Sequence, residues 1–292
     1  MTHTQGRSSY VTTRDGRRLH AAVLDGPPDA PVVVFEAGAG GSRSTWGAVQ
    51  PAVGAFATAV AYDRSGLGRS EPDPADRTFV RMADDLDDLL DGLTTGDDMR
   101  FVLVGHSLGG VIARLAASRR PHRIAGLVLV DPSEEGADDM FRGNTARRVA
   151  ISTALMRALA RTGILRLLGA LLFRSAPADV KADLAREATT PRAVETMEQE
   201  LKTFYPELES WRGAAPELGR VPVTVISGVK GGGMGKAVRG RVNEAHARRA
   251  AASPAGRHVL AENSGHQVPI TDPGLVVDEV RRLVAGSPEG AS

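Results

Sequence analysis

The chain has 292 residues, enough for one large core or for a main domain carrying an insertion. Its 36 basic and 35 acidic residues leave a net charge of +1, which gives no overall field for nucleic acid or for an acidic membrane. The absence of cysteine excludes a disulfide framework and a thiolate metal site.

Met1 to Ser9 is polar and carries no secretion signal. No apolar stretch is long enough to span a membrane, since Ile164 to Phe173 is short and contains Arg166. The expectation is a cytoplasmic protein with a small-molecule substrate and neither a nucleic-acid nor a membrane partner. In chain order, Tyr10 to Thr13 and Leu19 to Leu24 flank Asp15-Gly16, a hairpin signal. Pro31 to Phe35 reads as a buried strand and leads into Gly38-Ala39-Gly40-Gly41. A strand at Ala57 to Tyr62 runs into Asp63-Arg64-Ser65-Gly66-Leu67-Gly68-Arg69-Ser70, assigned to a structural turn. Phe79 to Leu93 patterns as an amphipathic helix, with Met82, Leu86, Leu89, Leu90 and Leu93 on one side and aspartates on the other.

Phe101 to Val104 is a strand entering Gly105-His106-Ser107-Leu108-Gly109-Gly110, after which Val111 to Ser118 is helical. That succession is the context of a G-x-S-x-G nucleophile elbow, a sharp turn that exposes the serine hydroxyl before a helix N-terminus. Leu127 to Val130 is a strand that ends at Asp131. Roughly 90 residues then separate Asp131 from Val221, far more than a crossover needs. Val149 to Leu172 is leucine- and arginine-rich, broken by Gly163 and Gly169. It reads as packed helices with solvated arginines, the alternative being a basic helix lying on a membrane surface. Asp179 to Ala188 and Pro191 to Phe204 continue the helical pattern, making residues 134–218 a cap inserted between core segments 1–133 and 219–292. Strands follow at Val221 to Ile226 and Arg257 to Ala261, then a helix at Val276 to Val284 and a frayed tail from Gly286. Alternating strands and helices imply an α/β class, a mostly parallel doubly wound sheet.

A serine nucleophile needs a base, and the base needs an orienting carboxylate. His266, in Asn263-Ser264-Gly265-His266, follows the last strand at the edge from which Ser107 emerges. His3, His20, His122, His246 and His258 lie in the N-terminal region, at the opposite edge, in a helix or within a strand. The loop after Val221 to Ile226 has no carboxylate before Glu244, so the acid falls to Asp131, with Glu134 and Glu135 as fallbacks. An oxyanion would be met by the backbone N–H of Leu108 and by that of Ala39, or of Gly40 in the alternative register.

These elements together resemble the α/β-hydrolase superfamily: the elbow, the glycine loop with Trp46 downstream, the Asp-Arg-Ser-Gly-Leu-Gly-Arg-Ser turn and the terminal Gly-His. The order Ser107, Asp131, His266 follows the family's. The glycine loop departs from its frequent His-Gly, reading Glu36-Ala37-Gly38, and an acid after the earlier strand resembles only some members. The substrate does not follow from the family, which hosts many chemistries; the expectation for this chain is a capped, cofactor- and metal-independent serine hydrolase acting on a small, mainly apolar ester or lactone through an acyl-enzyme. A carbon–carbon bond hydrolase with the same three residues, or a non-catalytic receptor, are the alternatives. Epoxide and haloalkane hydrolysis on this fold would be expected to use aspartate at the elbow, where this chain has Ser107.

Overall fold

A computed structural model describes residues 2–286, apart from 95, 97–98, 142, 144 and 232–234 and the side chains of 145–146. The tail expected to fray therefore lies, from 287 onward, outside the described residues. Eight strands form one sheet: β1 (Arg7–Thr12), β2 (Arg18–Leu24), β3 (Val32–Glu36), β4 (Ala59–Tyr62), β5 (Phe101–His106), β6 (Ile124–Val130), β7 (Val223–Gly228) and β8 (Arg257–Ala261). Their order across the sheet is β1-β2-β4-β3-β5-β6-β7-β8. β2 pairs antiparallel with β1 and β4, and all other pairs are parallel.

β3, β5 and β6 are buried along their whole length, as strands covered on both faces must be. One layer contains α2 (Phe79–Leu93) and α3 (Leu108–Arg119) after the short α1 (Gln50–Val53); helices α4 to α7 make up an insertion between β6 and β7. They are α4 (Thr145–Arg161), α5 (Ile164–Leu172), α6 (Ala178–Asp183) and α7 (Pro191–Ser210). The chain closes with α8 (Lys236–Ala251), α9 (Val268–Thr271) and α10 (Pro273–Ala285).

Trp46 is fully buried and packs on Phe35, their rings 5.1 Å apart. On α2, Met82, Leu86, Leu89 and Leu90 are buried as patterned and Leu93 partly so, but the opposite face is not simply solvated. Asp85 and Asp87 are buried too, because Arg17, Arg77 and Arg119 reach them as counter-ions. The break at Gly163 is real, with φ of 77°, whereas Gly169 lies inside α5 without interrupting it. α5 packs only in part: none of its residues is fully buried, and Leu165 and Gly169 are partly so.

Arginine–carboxylate bridges join the insertion to the sheet. Arg43 binds Asp63 of the core at 2.6 Å and Asp183 of the insertion at 2.5 Å. Arg64 binds Glu36 at 2.5 Å and Glu200 of α7 at 2.7 Å. Both guanidinium groups are 1% exposed, so each carboxylate is needed to offset a buried charge.

Candidate active site

Ser107 stands between β5 and α3 with φ 54° and ψ −120°, a backbone conformation that few non-glycine residues adopt. The turn is tight enough to dictate its neighbours. A Cβ on Gly105 would lie 2.5 Å from the Gly109 carbonyl oxygen, and one on Gly109 would lie 2.3 Å from that of Glu36. Only glycine fits at either place. The Ser107 N–H donates to the Val130 carbonyl at 3.2 Å, which ties the elbow to the end of β6, one residue before Asp131. Ser107 is partly exposed, and its hydroxyl makes no hydrogen bond among the described residues.

Asp131 has φ of 40°, the other non-glycine residue with positive φ among those described, and is 2% exposed. Its Oδ2 accepts from His266 Nδ1 at 2.7 Å. Its Oδ1 accepts from the Gly228 N–H at 2.9 Å and from Arg239 at 2.7 Å, with the same guanidinium nitrogen 3.0 Å from Oδ2. Burial pushes this carboxyl up, but the hydrogen bond and charge of His266, with His246 and Arg239, hold it down at about 2. Asp131 is therefore ionised at neutral pH.

The structure thus brings Asp131 and His266 together and places Ser107 beside the strand end that carries Asp131. It does not bring the fallback acids there. Glu134 and Glu135 instead face Arg114 and Arg249, all four buried or nearly so, with Arg114 and Glu135 2.7 Å apart. The reason is local: Arg114 on α3 is completely buried and needs a counter-ion.

His266 sits on a loop that two neighbours hold. His106, the residue before the nucleophile position, donates from Nε2 to the His266 carbonyl at 2.9 Å. Burial, with His266 nearby, lowers His106 to about 3, so it stays neutral and keeps that donor fixed. On the other side, Val229 and Lys230 after β7 donate their N–H groups to the Ser264 carbonyl, both at 2.8 Å.

The glycine loop after β3 is shaped by Arg64, which the sequence reading left in a turn without a chemical role. Its guanidinium donates to the carbonyls of Ala37 at 2.5 Å and Gly38 at 2.7 Å while pairing with Glu36 and Glu200. Burial pushes Glu36 up against the pull of Arg64, and the Tyr62 hydroxyl also donates to it. Glu200 in turn accepts the Gly40 N–H at 2.8 Å, and Met197 of α7 lies against Gly40. The Gly40 donor is therefore taken. The N–H groups of Ala39 and Leu108 have no acceptor among the described residues.

Arg239, Arg64 and His106 were missed from sequence. An Asp-Arg-Ser turn and a buried arginine in an arginine-rich helix carry no local mark that separates them from solvated charges. Only His106 had a signal, its place inside the elbow motif.

Comparison with known proteins agrees with this architecture. The model of the "Alpha/beta hydrolase family" matches residues 33–279, and the chain belongs to that family. A curated relative from Klebsiella pneumoniae (strain 342), "Putative carbamate hydrolase RutD", is 42% identical over 105 residues, covering 36% of this chain and 38% of the relative. This chain thus spans less than two fifths of that relative's length. An "AB hydrolase superfamily protein" from Gibberella zeae is 28% identical over 297 residues, covering 88% of this chain and 87% of the relative. Among solved structures, the epoxide hydrolase CorEH superposes with a TM-score of 0.73 at 22% identity, covering 96% of this chain and 98% of its own. At that identity the likeness is one of fold.

Proposed function

We propose that this α/β-hydrolase family member is a serine hydrolase cleaving a small, mainly apolar ester or lactone through an acyl-enzyme. Ser107 attacks the carbonyl, His266 takes its proton, and Asp131 fixes the imidazole so that Nδ1 carries a hydrogen and Nε2 is free to accept. The oxyanion that forms is met by the Ala39 and Leu108 N–H groups, which are left without acceptors while Gly40 is engaged by Glu200. Proton return from His266 to the leaving oxygen releases the alcohol, and the same base then activates the water that frees the acid. The insertion, with α7 seated on the glycine loop, serves as the cap. No cofactor enters this chemistry.

The observation that carries the reading is the ionised, buried Asp131 bonded to His266 beside a strained serine turn. The same attack serves a carbamate carbonyl, a second reading favoured by the identity to the RutD relative over 105 residues. Epoxide opening, suggested by the name of a fold neighbour, would need a carboxylate where this chain has Ser107. Labelling with a fluorophosphonate probe tests the proposal. The wild-type protein should be labelled, and Ser107→Ala should lose both labelling and turnover of ester and carbamate panels, by several orders of magnitude, with its melting temperature unchanged. Full turnover by Ser107→Ala would overturn it.

A further inference from the structure

The helices α4 and α5 present an apolar face that nothing among the described residues covers. Ile164, Leu167, Leu168, Leu171 and Leu172 recur with the spacing of one helix face, and all are exposed, Leu167 to 71% and Leu171 to 65%. The inward stripe of α5 is instead Leu165, Gly169 and Phe173, each partly buried. Ile151 and Leu155, one turn apart on α4, add 60% and 59% exposed side chains. Single exposed leucines are ordinary, but a continuous stripe of this kind marks an interaction surface.

The charges around it say what that surface meets. Between Asp139 and Asp179 the sequence has no acidic residue, no lysine and no histidine. Arg147, Arg148, Arg161, Arg166 and Arg174 are exposed there and form no ion pair among the described residues. In a chain of net charge +1 whose other arginines are largely paired to carboxylates, five exposed arginines without an ion pair among the described residues fall within residues 147–174, the segment bearing the apolar stripe. Protein-binding patches concentrate aromatic anchors at a packed centre. This face is aliphatic throughout, with exposed arginines along the same segment. That combination is the pattern of a helix lying in a bilayer interface, with leucines in the acyl boundary and arginines at anionic headgroups. No helix among the described residues is long and apolar enough to cross a membrane, so the attachment is peripheral.

We propose that α4–α5 docks this protein onto anionic lipid surfaces. Docking would set the insertion, the proposed cap, against the phase in which apolar esters partition. It departs from the expectation of no membrane partner, and it stands whether or not Ser107 is the nucleophile.

Flotation with vesicles of phosphatidylcholine containing about 30 mol% phosphatidylglycerol, against phosphatidylcholine alone, tests it. The wild-type protein should float with the anionic vesicles and release when salt is raised to about 0.5 M. Leu167→Glu/Leu171→Glu and Arg161→Gln/Arg166→Gln should each weaken vesicle binding by about tenfold or more. Both variants should keep wild-type melting and wild-type hydrolysis of a water-soluble ester, because α5 lies outside the machinery described above. Failure of the wild-type protein to bind anionic vesicles overturns the proposal, as does equal binding to neutral ones. A dimer in sedimentation velocity that Leu167→Glu/Leu171→Glu dissociates, without vesicle binding, overturns it in favour of a second copy of the chain.

Discussion

Replacing Asp131 with asparagine changes one atom and should do two separable kinds of damage. Oδ1 already receives the Gly228 N–H at 2.9 Å and Arg239 at 2.7 Å, so the amide oxygen must take that place. The NH₂ group is then left facing His266 Nδ1, where it can only donate. Nδ1 must become the acceptor, the ring proton moves to Nε2, and His266 can no longer accept from a serine. A loss of turnover of about 10⁴-fold follows from the wrong tautomer. The stability effect comes from Arg239, which is 2% exposed and pairs among the described residues only with Asp131. Its Nε and one terminal nitrogen are already without partners. Stranding that cation costs about 3–5 kcal/mol. Adding Arg239→Met should therefore recover much of the lost stability while leaving turnover as low as in the single variant. Urea unfolding and kcat on p-nitrophenyl butyrate, measured for both variants, distinguish the two effects. An Asp131→Asn protein retaining more than about a tenth of wild-type turnover, or a double variant that regains it, would refute the tautomer argument.

Acid should destabilise the fold well before its carboxylates are neutralised. Burial holds His106 at about 3 and His246 at about 4, below their ordinary 6.5, so between pH 6.5 and 4 the unfolded chain binds up to two more protons at these sites. Stability therefore falls as pH drops through that window, by up to about 2.7 kcal/mol per pH unit, and urea midpoints at pH 7, 6 and 5 should track it; a flat series would contradict their burial as neutral rings. Arg64→Met should leave Glu36 and Glu200 as unpaired buried carboxylates and cost about 3–5 kcal/mol. Because Glu200→Met removes one of the same partners, the double variant should lose clearly less than the sum, and losses that add within about 0.5 kcal/mol would disprove the coupling.

What was legible in the sequence followed from period and turn chemistry. β8 and α2 have the boundaries that their patterns gave, and the elbow glycines carry the steric reason for their identity in their own neighbourhood. That His266 and Asp131 lie together was legible because a loop position beside a strand end can be read along the chain. The aspartates of α2 misled because helical period distinguishes faces but not whether an arginine from β2's approach or from α3 arrives to pair with them. Arg239 and Arg64 were invisible for the same reason: their partners lie 108 and 136 residues away, and nothing local records that. The exposure of the α5 leucines was likewise not legible, because helical spacing of leucines does not say whether anything packs against them.

Glu200 bears on how a substrate reaches Ser107. It binds the core arginine and the Gly40 amide at once, so lifting α7 would break a buried charge pair and the glycine loop's anchor in the same movement. α7 therefore acts as a fixed wall, tied into the cooperative unit of the sheet. Segments of the insertion with no buried side chains, α5 above all, can open locally without exposing the core.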